Sequence, residues 1–223
     1  VDNTADIAQA ARDIVDGASF DNNVLCIAEK EVFVLDDVAG LLVDNMVKHG
    51  CYLADESETA EIMETVLEKD PEEGYVPNKG FVGKDASYIL EESGIKPGKE
   101  YRLVITEVAE AHPFVQTEML MPVLPIVRVS SIGAAISKAK RAEGSNYHTA
   151  IMHSENVTNM SKAAKSLNTT VFVKNAPSYA GLGLGGEGFT TLTIATPTGE
   201  GLTSARSFTR RRRCTLAGAF RIT

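Results

Sequence analysis

The chain has little of what would mark a membrane, secreted or metal-binding protein. No stretch of its 223 residues approaches the ~18 consecutive apolar residues that a membrane-spanning helix needs. The N-terminus carries no secretory leader pattern either. A membrane partner is therefore not expected. Cysteine is sparse: Cys26, Cys51 and Cys214 form an odd, widely spaced set. They supply neither a disulfide framework nor a paired-cysteine metal site, so a reducing cytoplasm is the natural setting and no metal is expected. Acidic residues outnumber basic ones, and the net charge of −8 argues against a nucleic-acid partner. Internal repeats and low-complexity stretches are absent as well.

What is present is ordinary globular composition, 43% apolar and 23% charged, enough for one large domain or one domain with an appendage. Ile7, Ala11, Ile14 and Val15 recur at helical spacing, which predicts a helix over 4–16 capped by Thr4 and stopped by Gly17. Leu25 to Leu35 reads as a strand whose continuous apolar end, Val32 to Leu35, suits burial on both faces. Asp36 or Asp37 is expected to cap a helix reaching Gly50, followed by a short apolar piece at 51–54 and an acidic helix over 56–69. Beyond the loop at 71–83 come a short helix at 86–92, a strand at 101–108, an irregular stretch at 111–121 and a strand at 123–129. A helix from Ser131, a strand at 149–152, a helix at 156–166 and a strand at 170–173 complete the alternation. Strands alternating with helices predict an α/β fold with a largely parallel sheet flanked by helices. From Ala176 the character changes to a glycine-rich loop, a strand at 190–195 and a last strand near 217–222, too thin to hold a core of their own. The predicted division is 1–175 and 176–223.

One stretch draws attention as a possible catalytic site. In Gly17-Ala-Ser-Phe-Asp-Asn-Asn-Val-Leu-Cys26 a polar loop delivers a cysteine to the start of the predicted strand, with Asn22 and Asn23 close by. Loop N–H groups beside a fixed sulfur are what an oxyanion-forming reaction needs. An isolated cysteine on a strand is, in general, more often a small buried apolar residue. Glu118-Met-Leu-Met-Pro122 and Asn146-Tyr-His148-Thr149 are two further landmarks. The glycine-rich run 181–188 lacks both the ending of a phosphate loop and a following helix, so it is not read as a nucleotide site. His148 and His153 are five residues apart across a strand and do not make a metal pair. Arg210 to Arg213 reads as a solvated strand end or subunit contact, with the phosphates of a co-substrate as a third partner.

Together these segments resemble the aldehyde dehydrogenase superfamily, and SFDNNVLCIAEK is similar to its CoA-acylating branch, the acetaldehyde and propionaldehyde dehydrogenases of ethanolamine and propanediol utilisation. Ordinary aldehyde dehydrogenases carry Gly-Gln at the third and second positions before the cysteine, where this chain has Asn23 and Val24. The resemblance implies an aldehyde dehydrogenase-like catalytic domain with a C-terminal β arm for oligomerisation. It implies Cys26 as nucleophile, His148 as acid/base, Glu118 on the nicotinamide ribose and Asn22 and Asn23 in the vicinity of the substrate and oxyanion. Leu120 and Met121 stand where the relatives have Phe and Gly. The implied reaction is NAD-dependent oxidation of a short aliphatic aldehyde, with coenzyme A (CoA) as acyl acceptor, in a homo-oligomer. Some relatives sit inside bacterial microcompartments. The NAD-binding half precedes the cysteine in that family, and only 25 residues do so here. The expectation is therefore a C-terminal catalytic part, inactive as a dehydrogenase by itself. Two other readings stand beside it: an assembly module with an inert buried cysteine, and a complete thiol-transfer enzyme. An activated Cys26 should alkylate faster than Cys51 and Cys214, with a depressed pKa.

Overall fold

The computed structural model describes residues 1–72, 74–195, 201–215 and 217–218. Its first helix, α1 (Ile7–Ser19), buries Ala10, Ala11, Ile14, Val15 and Ala18 along one face. Asp6, not Thr4, caps it by accepting from the Gln9 N–H. The Thr4 hydroxyl is held instead by Asp2 at 2.6 Å. The helix also runs two residues past Gly17.

Strand β1 (Val32–Leu35) is much shorter than the predicted 25–35. Glu29, Lys30 and Glu31 interrupt the apolar run, and a strand buried on both faces cannot carry three successive charges. Helix α2 (Asp36–Lys48) starts without a side-chain cap; Asp36 and Asp37 lie in its first turn, where they favour the helix dipole. Strand β2 (Cys51–Ala54) precedes α3 (Glu56–Val66), which opens on a reciprocal capping box between Asp55 and Glu58. The helix stops at Val66. Residues predicted to continue it form β3 (Leu67–Asp70), paired antiparallel with β4 (Gly74–Pro77) inside the expected loop.

Helix α4 (Ala86–Glu92) and β5 (Leu103–Glu107) fall near their predicted places. The stretch expected to be irregular contains one helical turn, α5 (Pro113–Gln116), capped by His112 accepting from the Phe114 N–H. Then come β6 (Val123–Val129), α6 (Ile132–Ala142), β7 (Thr149–Met152), α7 (Val157–Leu167) and β8 (Val171–Lys174). Strands β9 (Ile194–Ala195) and β10 (Gly201–Leu202) are two residues each and antiparallel. The last strand expected near 217–222 lies almost wholly outside the described residues.

The main sheet has the order β1-β6-β5-β2, all parallel. Leu103, Ile105, Leu124 and Ile126 pack with α1 and α2 on one face. Val104 and Val123 pack with Ile62, Ile89, Leu90 and Phe114 on the other. Burial on both faces explains the unbroken apolar runs of these strands. A second parallel pair, β7 with β8, is joined to this sheet through Val1 and Asp2. Val1 exchanges backbone bonds with Phe33 and Leu35, and the Asp2 N–H donates to the His153 carbonyl at 3.2 Å. Between the two sheets, bordered by α6, a cleft is left.

Candidate active site

Cys26 is not on a strand. It lies in a turn closed by the Ala28 N–H donating to the Leu25 carbonyl at 2.9 Å, between α1 and β1. The approach is unusual: Asp21, Asn22 and Asn23 have φ of 48°, 50° and 64°, three left-handed residues in succession. Asp and Asn tolerate this region better than other side chains, which accounts for the Asp-Asn-Asn sequence here. The Asn23 amide then pins the loop, donating to the carbonyls of Ala18 at 2.8 Å and Glu29 at 3.1 Å.

The result is an exposed sulfur at the wall of a cleft of about 650 Å³. His148, Glu118, Asn23, Glu29, Lys30 and Glu31 line the same cleft. The structure thus brings Cys26, His148 and Glu118 to one cavity. Asn22 is placed elsewhere: its amide donates to the Gly83 carbonyl at 3.0 Å and to Asp85 at 2.9 Å, on a separate surface depression. Neither asparagine offers a free N–H to a substrate, since both amides are committed to protein acceptors.

His148 follows a sharp bend in which Gly144, Ser145 and Tyr147 have positive φ. Its backbone N–H is held by the Glu143 carboxylate at 2.9 Å, and its Nδ1 meets the Thr149 hydroxyl at 2.8 Å. Nε2 is left as the ring nitrogen without a hydrogen-bond partner among the described residues. Glu118 is exposed at the cleft, next to Leu120, whose φ is 53°. His153 has a different character. Burial pushes its pKa down to about 4, so it stays neutral, and no group of three metal-ligating side chains occurs among the described residues.

The thiol of Cys26 is raised above its ordinary pKa, first by partial burial and further by the Glu118 charge; the hydrogen bond from its own backbone N–H pulls the other way. This corrects the expected depressed value: the described cleft places a carboxylate, not a cation, within electrostatic reach of the sulfur. Lys30, the nearest basic residue in sequence, is spent on the Val115 carbonyl at 2.7 Å and on Glu31 at 3.0 Å. The charged triplet Glu29-Lys30-Glu31 was missed as site material. Its signal was available, because three charges in a row contradict a buried strand.

The fold, a parallel sheet flanked by helices, is aldehyde dehydrogenase-like. No protein-family profile matches the chain. It is 50% identical to the acetylating acetaldehyde dehydrogenase EutE of Escherichia coli over 226 residues, covering all of this chain and 48% of that protein. A propionaldehyde dehydrogenase of Rhodopseudomonas palustris, solved with bound CoA and an acylated cysteine, superposes with TM-score 0.90 at 48% identity. An engineered glycolyl-CoA reductase with bound NADP⁺ gives the same TM-score and identity. Both structures are matched over 96% of this chain and 48% of their own. The chain is similar over its whole length to CoA-acylating aldehyde dehydrogenases, and it spans about half the length of the relatives it matches. No helix among the described residues is long and apolar enough to cross a membrane.

Proposed function

We propose that this chain carries the catalytic cysteine of a dehydrogenase that oxidises a short aldehyde, acetaldehyde or propionaldehyde, to the corresponding acyl-CoA with NAD as oxidant. The observation that carries the reading is the exposure of Cys26 in a cleft shared with His148 and Glu118. A cleft of about 650 Å³ is of the size that small-ligand sites occupy. The exposed Glu118 carboxylate is suited to accept from ribose hydroxyls, and the open cleft admits a thiol co-substrate. These residues fit a nicotinamide nucleotide and CoA.

The Cys26 sulfur adds to the aldehyde carbonyl and gives a thiohemiacetal. Its oxygen is met by the Cys26 backbone N–H once that N–H leaves its own sulfur. Loss of the former aldehyde hydrogen as hydride, with the hydroxyl proton passing to solvent, would convert the thiohemiacetal to a thioester on Cys26. A bound oxidised nicotinamide supplies the acceptor for that hydride. His148, through Nε2, takes the proton from the incoming CoA thiol, and the CoA sulfur displaces Cys26 from the acyl carbon. The attacking form is the thiolate, whose proton passes to solvent, and because the Cys26 thiol is raised the rate should climb with pH into the alkaline range.

We place the catalytic unit at 1–175, and a return segment with an oligomerisation strand at 176–223. The bond from the Ser178 N–H to Glu29 ties the start of the return segment back onto that unit. Leu192 and Phe208, each 71% exposed, support a covering subunit over the second. A cytoplasmic or microcompartment setting belongs to the same proposal.

The test follows reduced nicotinamide formed from aldehyde, NAD and CoA by the full protein. Acyl-CoA formation, lost in Cys26→Ala and greatly slowed in His148→Ala, is expected. Free acid as the product, or activity surviving Cys26→Ala, would overturn the reading.

A further inference from the structure

The steps above leave one buried acid in the cleft wall unused. Glu29, three residues beyond Cys26, is 5% exposed. Its Oε1 accepts the Ser178 N–H at 2.9 Å, while Oε2, sealed from solvent, has no partner among the described residues. The Glu29 carbonyl receives the Asn23 amide that also holds Ala18. On the remaining side the carboxyl lies against Gly17: a Cβ there would come within 2.2 Å of Oε1. Gly17 is therefore required by the close approach of this carboxyl and does not end the helix. Three pieces of chain meet at one side chain: the last turn of α1, the cysteine turn and the segment at Ser178.

We propose that Glu29 is a positioning residue for Cys26: its carboxyl seats the cysteine turn between α1 and the segment at Ser178, and so sets where the sulfur stands in the cleft. The inference rests on the reading of Cys26 as the nucleophile. The charge state of the clamp matters. Desolvation pushes Glu29 up to about 7, against the pull of Ser178 and of its own backbone N–H and with a further push from Asp13. Of the groups facing it, α1 contributes Asp13, itself paired with Arg12, and the 178 segment contributes Ser178 and the Tyr179 phenol. None of these places a cation on the carboxyl. Below neutrality the carboxyl is uncharged and tolerates its sealed Oε2. Above it, an unpaired charge is buried beside Asp13, which favours release of the clamp.

Iodoacetamide alkylation of Cys26, resolved from Cys51 and Cys214 by peptide mass spectrometry, tests this between about pH 6 and about pH 9. The native protein is expected to show a break in rate near pH 7, superimposed on the rise due to the thiol itself. Glu29→Gln, which keeps the shape and removes the titration, should lose the break and keep the rise. Gly17→Ala, which displaces the carboxyl without touching its charge, should lose the break too; if that variant does not fold, Glu29→Gln decides alone. A break that survives in Glu29→Gln, or no break in the native protein, overturns the proposal. Alkylation needs neither aldehyde nor CoA. A Glu29-dependent break without acyl transfer would therefore defeat the functional reading only, and acyl transfer without the break would defeat this one only.

Discussion

Cys51 and Cys26 belong to two regions built on opposite principles. Cys51 opens β2, inside the apolar cluster between α1, α2 and the sheet, with no exposed surface. Burial there pushes its thiol up to about 12, so it is a small apolar residue and nothing more. Cys26 lies outside regular structure, on a turn held by Asn23 and reached through three left-handed residues. Its thiol is also raised, by the same kind of cause, yet its sulfur is open to a cleft with an imidazole and a carboxylate. Burial alone therefore does not separate the sulfur proposed as nucleophile from the one in the core. Access and neighbours do, and both come from irregular chain.

That contrast can be broken at either end. The largest effect is expected from Cys26→Ala, which should lower acyl-CoA formation by on the order of a thousandfold or more, measured by steady-state rates. The same assay on Cys51→Ala should show little change. In the sheet, Ile105→Ala removes a fully buried side chain and should cost about 2–5 kcal/mol in denaturant unfolding. Rates per folded molecule should stay near the native value. An equal loss of activity in that variant would mean that core and site are not separable.

Glu29 gives a pH-dependent test of intermediate size. A carboxyl held at about 7 when folded and near 4.5 when unfolded keeps its proton longer in the native state. Stability should therefore fall as pH rises from about 4.5 to about 7 and then level off, by roughly 3 kcal/mol in all. Glu29→Gln should flatten that slope in thermal melts taken at several pH values. Asn23→Ala is expected to cost the least, about 1–3 kcal/mol, by leaving the Ala18 and Glu29 carbonyls without the side-chain donor. It should nonetheless slow acyl transfer more than Ile105→Ala, because it frees the cysteine turn itself.

The same division explains what could be read in the sequence. The parallel sheet was legible, since runs such as Leu103–Glu107 and Val123–Val129 carry the apolar continuity of strands covered on both faces. Helix ends were less so. Thr4 reads as the cap of the first helix, yet its hydroxyl is tied up by Asp2 and Asp6 caps instead. The grouping of Cys26 with His148 and Glu118 followed from family resemblance, because no spacing rule connects positions so far apart in the chain. The cysteine turn itself was misread as strand. Its shape depends on left-handed backbone and on Glu29 filling the space beside Gly17, and neither feature has a periodic signature.

The account depends on an acyl group passing through one sulfur. Incubating the full protein with propionyl-CoA alone, without nicotinamide or aldehyde, runs the last step backwards and should leave a propionyl thioester. Peptide mass spectrometry should find that group on the peptide carrying Cys26, removable by hydroxylamine. A label on Cys51 or Cys214 instead, or no label at all while free CoA is released, would contradict it.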